Sequence, residues 1–173
     1  VGQFFSGETY FYIGDYQKSI AHFCKTIQVA EYIDISPSLG NINKIRFVLA
    51  KVMNKERDID LETLYDYLSE NKLKAFDGLM KHHIAGIILN IDDNHLPQAE
   101  TWIKKAIEAN RTNGMMFYLA QDYYLFHEIL KKKGDIKNAK KYLNIAIEQF
   151  RECGSDGWVE RYEKEMQEFD VLI

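Results

Sequence analysis

Residues 131–150 read KKKGDIKNAKKYLNIAIEQF, and this stretch decides the fold class. Gly134 can take the positive φ that ends a helix, and Asp135 can cap the next helix by accepting from its free backbone N–H groups. An apolar stripe at helical spacing follows, made of Ala139, Leu143, Ala146, Ile147 and Phe150. The stretch therefore predicts a helix, a tight turn and a second, amphipathic helix.

Similar turns recur along the chain at intervals of forty positions, at Gly14-Asp15, Asn54-Lys55, Asn94-His95 and Gly134-Asp135. A constant period of this size is typical of stacked helical hairpins. The pattern predicts nine helices, near residues 3–13, 15–33, 37–53, 60–71, 73–91, 95–111, 115–133, 135–152 and 156–170. The third turn has Asn94 where the first and fourth have glycine, and the second turn is longer, reading NKERDID.

The fourth unit resembles the tetratricopeptide repeat, which has Gly-Asp at the turn, Ala five positions after that Gly, and then an aromatic residue or Leu followed by Ala. The matching residues are Gly134, Asp135, Ala139, Leu143 and Ala146. The first unit matches at Gly7, Tyr10, Gly14, Asp15, Tyr16, Ser19, Ile20, Phe23 and Ile27, and the third at Ala99, Trp102, Ile103, Ala106 and Ile107. The second unit is degenerate, with a stripe of Leu61, Leu64, Tyr65 and Leu68.

The resemblance implies an all-α fold, a superhelical stack of antiparallel helix hairpins that forms a single α-solenoid domain. The expected units are about 1–35, 36–72, 73–112 and 113–153, followed by a capping helix over 155–171. Trp158, Tyr162 and Met166 of that helix are expected to face the stack. The forty-residue period exceeds the usual thirty-four or so. It resembles long-unit variants in signalling proteins, and the segment ECGSDGWVERYEKEMQEF resembles the end of repeat regions that follow bacterial ATPase or nucleotide-cyclase modules.

The start of the first unit is missing, so we expect the chain to be a fragment of a longer protein. An N-terminal face carrying Phe4, Phe5, Tyr10 and Phe11 would then be open to further repeats or to self-association with a second copy.

Composition argues against two classes of partner. A net charge of −4 does not favour nucleic acid, which needs a basic face. No apolar run approaches twenty residues, so a membrane span is not expected. Cys24 and Cys153 lie far apart in the chain, which favours a reducing, cytoplasmic environment over a disulfide.

Catalysis, cofactors and metal ions are not expected from the sequence. Neighbouring helical residues such as His82 and His83 point about 100° apart and do not chelate as an i, i+4 pair does. The cluster of Asp92, Asp93 and His95 lacks the ligand pattern of a calcium loop and is better explained by helix capping.

Partner binding is the favoured function, and the resemblance places it on the concave face formed by the first helix of each unit. The residues so placed are Lys44, Lys51, Lys81, Ile84, Ile88, Gln121, Tyr124, Glu128, Lys131 and Lys132. They predict a mixed apolar and basic groove for a peptide or protein partner, and hence a non-enzymatic interaction scaffold. The alternative is an intramolecular regulatory domain of a multidomain ATPase or nucleotide cyclase.

Overall fold

The computed structural model of the chain describes residues 2–33 and 36–171, and within these ranges the fold is all-helical. The elements in chain order are α1 Gly2–Tyr12, α2 Tyr16–Tyr32, α3 Pro37–Met53, α4 Leu61–Ser69, α5 Lys74–Ile91, a 3₁₀ turn Asp93–His95, α6 Leu96–Thr112, α7 Met116–Lys132, α8 Ile136–Glu152 and α9 Asp156–Val171. The predicted helices are all present, each with its ends within two residues of the expected position. The expected boundary after the first unit, at residue 35, lies outside the described residues.

The predicted turn at Gly134 closes the C-terminal end of α7. Gly134 has φ +78°, its N–H donates to the Lys131 carbonyl at 3.0 Å, and the Asp135 N–H donates to the Leu130 carbonyl at 3.0 Å. This pair of bonds is the Schellman arrangement, which satisfies carbonyls that the helix end leaves without partners. Asp135 then caps α8 by accepting from the Asn138 N–H.

The same pair of bonds ends helices at four other places, Gly14, Lys55, Gly114 and Gly154. Three of these four residues are glycines, and the fourth, Lys55, has a φ of +72° in the left-handed region. A residue with a Cβ pays about 1–2 kcal/mol for that conformation. The second turn is therefore built like the others, although its sequence lacks the glycine that would signal it.

The third predicted turn differs from the rest. Asn94 and His95 lie inside the short 3₁₀ turn, where Asp92 Oδ1 accepts from the Asn94 N–H at 2.8 Å and lies 2.8 Å from His95 Nδ1. The interpretation of this acidic cluster as a cap is confirmed. This turn keeps the forty-residue spacing, but it is a 3₁₀ turn and differs from the pair of hydrogen bonds at the other turns.

Consecutive helices pack against each other, and α3, α5 and α7 also contact one another in that order. Alanines at Ala99, Ala106, Ala139 and Ala146 are fully buried, so that neighbouring helices approach closely. The short helix α4 packs only lightly, and α3 packs more extensively on α5 than on α4. The degenerate second unit thus lacks the tight pairing of α5 with α6 and of α7 with α8.

The last helix packs against the core through the stripe that the sequence predicted. Tyr162 and Phe169 are buried, and Trp158 and Met166 are partly buried against the core. At the other end, Tyr10 stacks on His22 of its own hairpin, with ring centroids 5.1 Å apart. The side chains of Phe4 and Phe5 lie outside the described residues.

Within the described ranges, no helix combines the length and the apolarity that crossing a bilayer requires.

Candidate functional site

Side chains about one period apart meet on a surface formed by the odd-numbered helices α1, α3, α5, α7 and α9, which we call the inner face. Ion pairs or hydrogen bonds join Glu8 to Arg46, Arg46 to His83, His82 to Asp122 and Tyr124 to Glu165. The sequence separations are 38, 37, 40 and 41 positions respectively. Corresponding positions of successive odd-numbered helices are therefore neighbours in space.

Arg46 is the buried cation of the inner face, with 3% of its surface exposed. Its Nη2 lies 2.6 Å from Glu8 Oε1, and its Nε–H donates to His83 Nε2 at 3.2 Å. Burial, Arg46 and His82 together hold the pKa of His83 well below its usual range, so that His83 is neutral and can accept. Its other nitrogen, Nδ1, is buried without a hydrogen-bond partner among the described residues.

Asp122 is a fully buried carboxylate that joins three helices. His82 Nδ1 of α5 lies 2.8 Å from Oδ1, and Asn110 Nδ2 of α6 donates to Oδ2 at 2.7 Å. Burial raises the pKa of Asp122, while the two hydrogen bonds act in the opposite direction. Gly78 leaves the room for this arrangement, because a Cβ at that position would lie 2.1 Å from Asn110 Oδ1.

The first and last helices meet across the inner face. The rings of Tyr12 and Trp158 contact edge to face, with centroids 5.2 Å apart. Gln121 Nε2 of α7 donates to the Tyr12 hydroxyl at 3.0 Å, and Tyr124 stacks on Tyr162 with centroids 4.1 Å apart. The end of α1 thus reaches across the inner face and contacts both α7 and α9.

These contacts border a central cavity of about 260 Å³ that is partly open to solvent. It is lined by Glu8, Phe11, Tyr12, Tyr16, Phe23, Arg46, Leu49, Met53, His82, His83, Asn90, Gln121, Tyr124, Leu125, Trp158, Arg161 and Tyr162. Most of these side chains are aromatic or aliphatic, and a few polar groups converge among them. Such a lining is typical of ligand and side-chain pockets.

A second cluster lies where α7 meets α9. The buried His127 has Nε2 3.2 Å from Glu128 Oε1 and 3.5 Å from Glu165 Oε1. Burial lowers the pKa of His127, but the two carboxylates and the Ala139 carbonyl outweigh it and raise the pKa to about 9. Burial also raises the pKa of Tyr124, whose hydroxyl donates to Glu165 Oε2 at 3.1 Å.

Of the residues predicted to form the groove, two line the central cavity, namely Gln121 and Tyr124. Glu128 and Lys131 belong instead to the cluster around His127, where Lys131 Nζ lies 3.3 Å from Glu128 Oε1.

The remaining predicted lysines each pair with a nearby acid. Lys44 Nζ lies 3.5 Å from a Glu31 oxygen and Lys51 Nζ lies 3.0 Å from a Glu56 oxygen. Lys81 lies 2.6 Å from Asp77, and Lys132 lies 3.2 Å from Asp93. None of these four lysines lines the central cavity, and each is partly neutralised by its acid.

Two of the predicted groove residues are inaccessible. Ile84 and Ile88 are both 0% exposed and belong to the hydrophobic core. A partner cannot touch either side chain in this conformation. They face inward because α5 packs against four other helices, α3, α4, α6 and α7, which leaves it little free surface.

Sequence reasoning missed Arg46, Asp122, Trp158, His127 and Glu165 as parts of a site. The period itself was the available signal, since His82 and Asp122 are forty positions apart and Tyr124 and Glu165 forty-one. Pairing polar residues one period apart would have found these contacts.

No protein-family model matches the chain, and no curated protein sequence matches it.

Proposed function

We propose that the chain is a tetratricopeptide-like helical stack that binds a peptide or protein partner on its inner face. The supporting observation is that residues about one period apart meet on that face, from Glu8 of α1 to Glu165 of α9. Equivalent helices are neighbours in such stacks, and their shared face is a preformed curved surface.

The central cavity is the feature that would receive the partner. A volume of about 260 Å³ is suited to one large side chain rather than to a length of polypeptide. Its lining of Leu49, Met53, Leu125 and Trp158 favours an apolar or aromatic anchor. A single desolvated anchor of this kind often carries most of the energy of a protein–protein contact. We therefore place the specificity in the cavity and not in the paired lysines.

We propose binding rather than catalysis. Burial raises the pKa of the Cys153 thiol, which is the opposite of the shift that activates a cysteine nucleophile. The polar groups of the cavity are also tied to one another, as in the chain from Glu8 through Arg46 to His83. Such a network positions helices and provides polar contacts for an anchor.

The test is selection of peptides from a random display library on immobilised chain, followed by affinity measurement by fluorescence anisotropy. Leu125→Trp should fill the cavity and weaken the Kd of selected peptides by at least about tenfold. Tyr32→Ala is the matched control, because Tyr32 is 90% exposed and is not part of the cavity lining. Equal affinity for Leu125→Trp and the parent chain, with unchanged helicity, would rule out the cavity as the binding site.

The alternative, an intramolecular regulatory domain, is favoured by the contact between Tyr12 and Trp158. A displacement of α1 by a neighbouring module would be transmitted directly to α7 and α9. This alternative requires a catalytic module in the same reading frame. The activity of that module should change in Tyr12→Ala, which removes the contact between α1 and α9. An unchanged activity in that variant would argue against it.

A further inference from the structure

His127 of α7 is held in one orientation with one nitrogen available. The residue is 0% exposed, and its Nδ1 lies 2.9 Å from the Ala139 carbonyl oxygen, to which only a protonated Nδ1 can donate. This bond leaves Nε2 facing the cluster, and Nε2 makes no hydrogen bond among the described residues. A buried ring nitrogen that lies beside carboxylates but makes no aligned hydrogen bond calls for an explanation.

Two carboxylates converge on that nitrogen. Glu128 Oε1 lies 3.2 Å from Nε2, and Glu165 Oε1, which comes from α9, lies 3.5 Å from it. The three donor atoms all lie within 4.8 Å of one another. Two carboxylate oxygens this close to a buried ring nitrogen call for a positive charge between them, and either a proton on Nε2, in keeping with the raised pKa of His127, or a metal ion supplies it.

We propose that His127, Glu128 and Glu165 form a binding site for a divalent transition-metal ion, with Zn²⁺ the ion that suits these donors best. Zn²⁺ takes histidine nitrogen and carboxylate oxygen at about 2.0–2.2 Å, usually in tetrahedral geometry. Ligands at that distance are about 3.4 Å apart along a tetrahedral edge, and the two distances from Nε2 are 3.2 and 3.5 Å. Water or a partner's oxygen would complete the coordination.

The surroundings include the groups that usually support a metal ligand. The Ala139 carbonyl fixes the tautomer and the ring orientation of His127. The Tyr124 hydroxyl donates to Glu165 Oε2 at 3.1 Å, which orients that carboxylate and leaves Oε1 towards His127. Both helices that carry the ligands would be joined by the ion.

Lys131 is the competitor at this site. Its ammonium lies 3.3 Å from Glu128 Oε1 and 3.8 Å from Glu165 Oε1. Its side chain is 42% exposed, so it can turn into solvent when an ion enters. Exposed ion pairs of this kind contribute at most about 1 kcal/mol, which a divalent ion can displace.

The experiment is calorimetric titration of the untagged chain with Zn²⁺ alone. We expect one ion per chain, with affinity reduced by at least about tenfold in Glu128→Gln and in Glu165→Gln. Lys131→Gln should bind more tightly, because the competing ammonium is gone. Glu160→Gln is the matched control, an exposed glutamate on the same helix as Glu165, and it should bind as the parent chain does.

Two further readouts separate this site from incidental binding. Zn²⁺ should raise the melting temperature of the parent chain, and the rise should be lost in Glu165→Gln, since the ion joins α7 to α9. In ¹⁵N NMR spectra, Zn²⁺ should shift the Nε2 resonance of His127. The proposal is overturned if no stoichiometric binding occurs, if both Gln variants bind as the parent does, or if Nε2 keeps a proton at saturating Zn²⁺. The last result would mean that an imidazolium bridges the two carboxylates.

Discussion

Asp122 is a single side chain on which three helices depend. Its two oxygens accept from His82 of α5 and Asn110 of α6, and its own backbone belongs to α7. Removing this carboxylate leaves the fully buried Asn110 amide without its acceptor and His82 without its partner.

We predict that Asp122→Ala lowers the free energy of unfolding by about 3 kcal/mol. Asp77→Ala is the control, because Asp77 is a partly exposed aspartate paired with Lys81. That change should cost less than about 1 kcal/mol. Urea denaturation monitored by circular dichroism compares the two. Equal losses would mean that the buried network contributes no more than a surface pair.

His83 should make stability depend on pH in a known direction. Its pKa is far below 6.5 in the folded chain and near 6.5 when unfolded, so the unfolded state gains a proton first as the pH falls. The stabilisation is fully present above pH 6.5 and is lost progressively below it. We predict a loss of about 1.4 kcal/mol by about pH 5.5.

His83→Gln provides the matched comparison for this prediction. Glutamine can still accept from the Nε–H of Arg46, but it does not titrate. The difference in unfolding free energy between the parent chain and His83→Gln should therefore narrow or reverse as the pH falls from 7 to 5.5. A difference that stays constant across this range would show that His83 is protonated in the folded chain or exposed.

At the residue level, contacts between side chains were the least predictable feature of the sequence. The angle between neighbouring helical positions, which separates His82 from His83, does not foresee the contact of His127 with Glu128. A glutamate side chain is long enough to curve back, and Glu128 Oε1 lies 3.2 Å from His127 Nε2. The third member, Glu165, is thirty-seven positions from Glu128, and its role depends on how α9 packs.

Substitutions at the helix ends test whether the turns that end the helices require glycine. Gly134 needs φ +78° to close α7, and a Cβ there would meet no neighbouring atom within 4 Å, so backbone strain is the main penalty for a larger residue. We predict that Gly134→Ala destabilises the chain by about 1 kcal/mol.

Gly157 is the opposite case within the same chain. It lies inside α9, and a Cβ would also meet nothing within 4 Å. Gly157→Ala should therefore stabilise the chain by up to about 1 kcal/mol, because alanine favours helix. Thermal unfolding of the two variants should give melting temperatures on either side of the parent value. Changes of the same sign would contradict the assignment of Gly134 to a strained turn.

The elements themselves were the most predictable part of the molecule. Apolar stripes and Gly-Asp turns placed each helix within two residues, because both signals are local. The packing of α4 was harder to predict from the sequence. Its stripe of Leu61, Leu64, Tyr65 and Leu68 predicts an amphipathic helix, but not that a helix of nine residues would pack only lightly on α3 and α5.

The whole molecule depends on contacts that link its two ends. Tyr12 and Trp158 are 146 positions apart in the chain, and their rings touch. No local pattern encodes such a contact, because it depends on how all the helices between them pack. The sequence therefore predicted a groove, but not the cavity of about 260 Å³ that Tyr12 and Trp158 help to line.

The contact between the first and last helices is tested most directly by a nuclear Overhauser measurement on the isotopically labelled chain, in a sample shown to be monomeric. We predict a cross-peak between the ring protons of Tyr12 and the indole protons of Trp158, whose ring centroids are 5.2 Å apart. The cross-peak should disappear in Tyr12→Ala, while those from Trp158 to Phe117 and Phe150 remain. A Trp158 indole that shows cross-peaks to Phe117 and Phe150 but none to Tyr12 would mean that α1 and α9 do not meet, and that the cavity proposed as the binding site does not form.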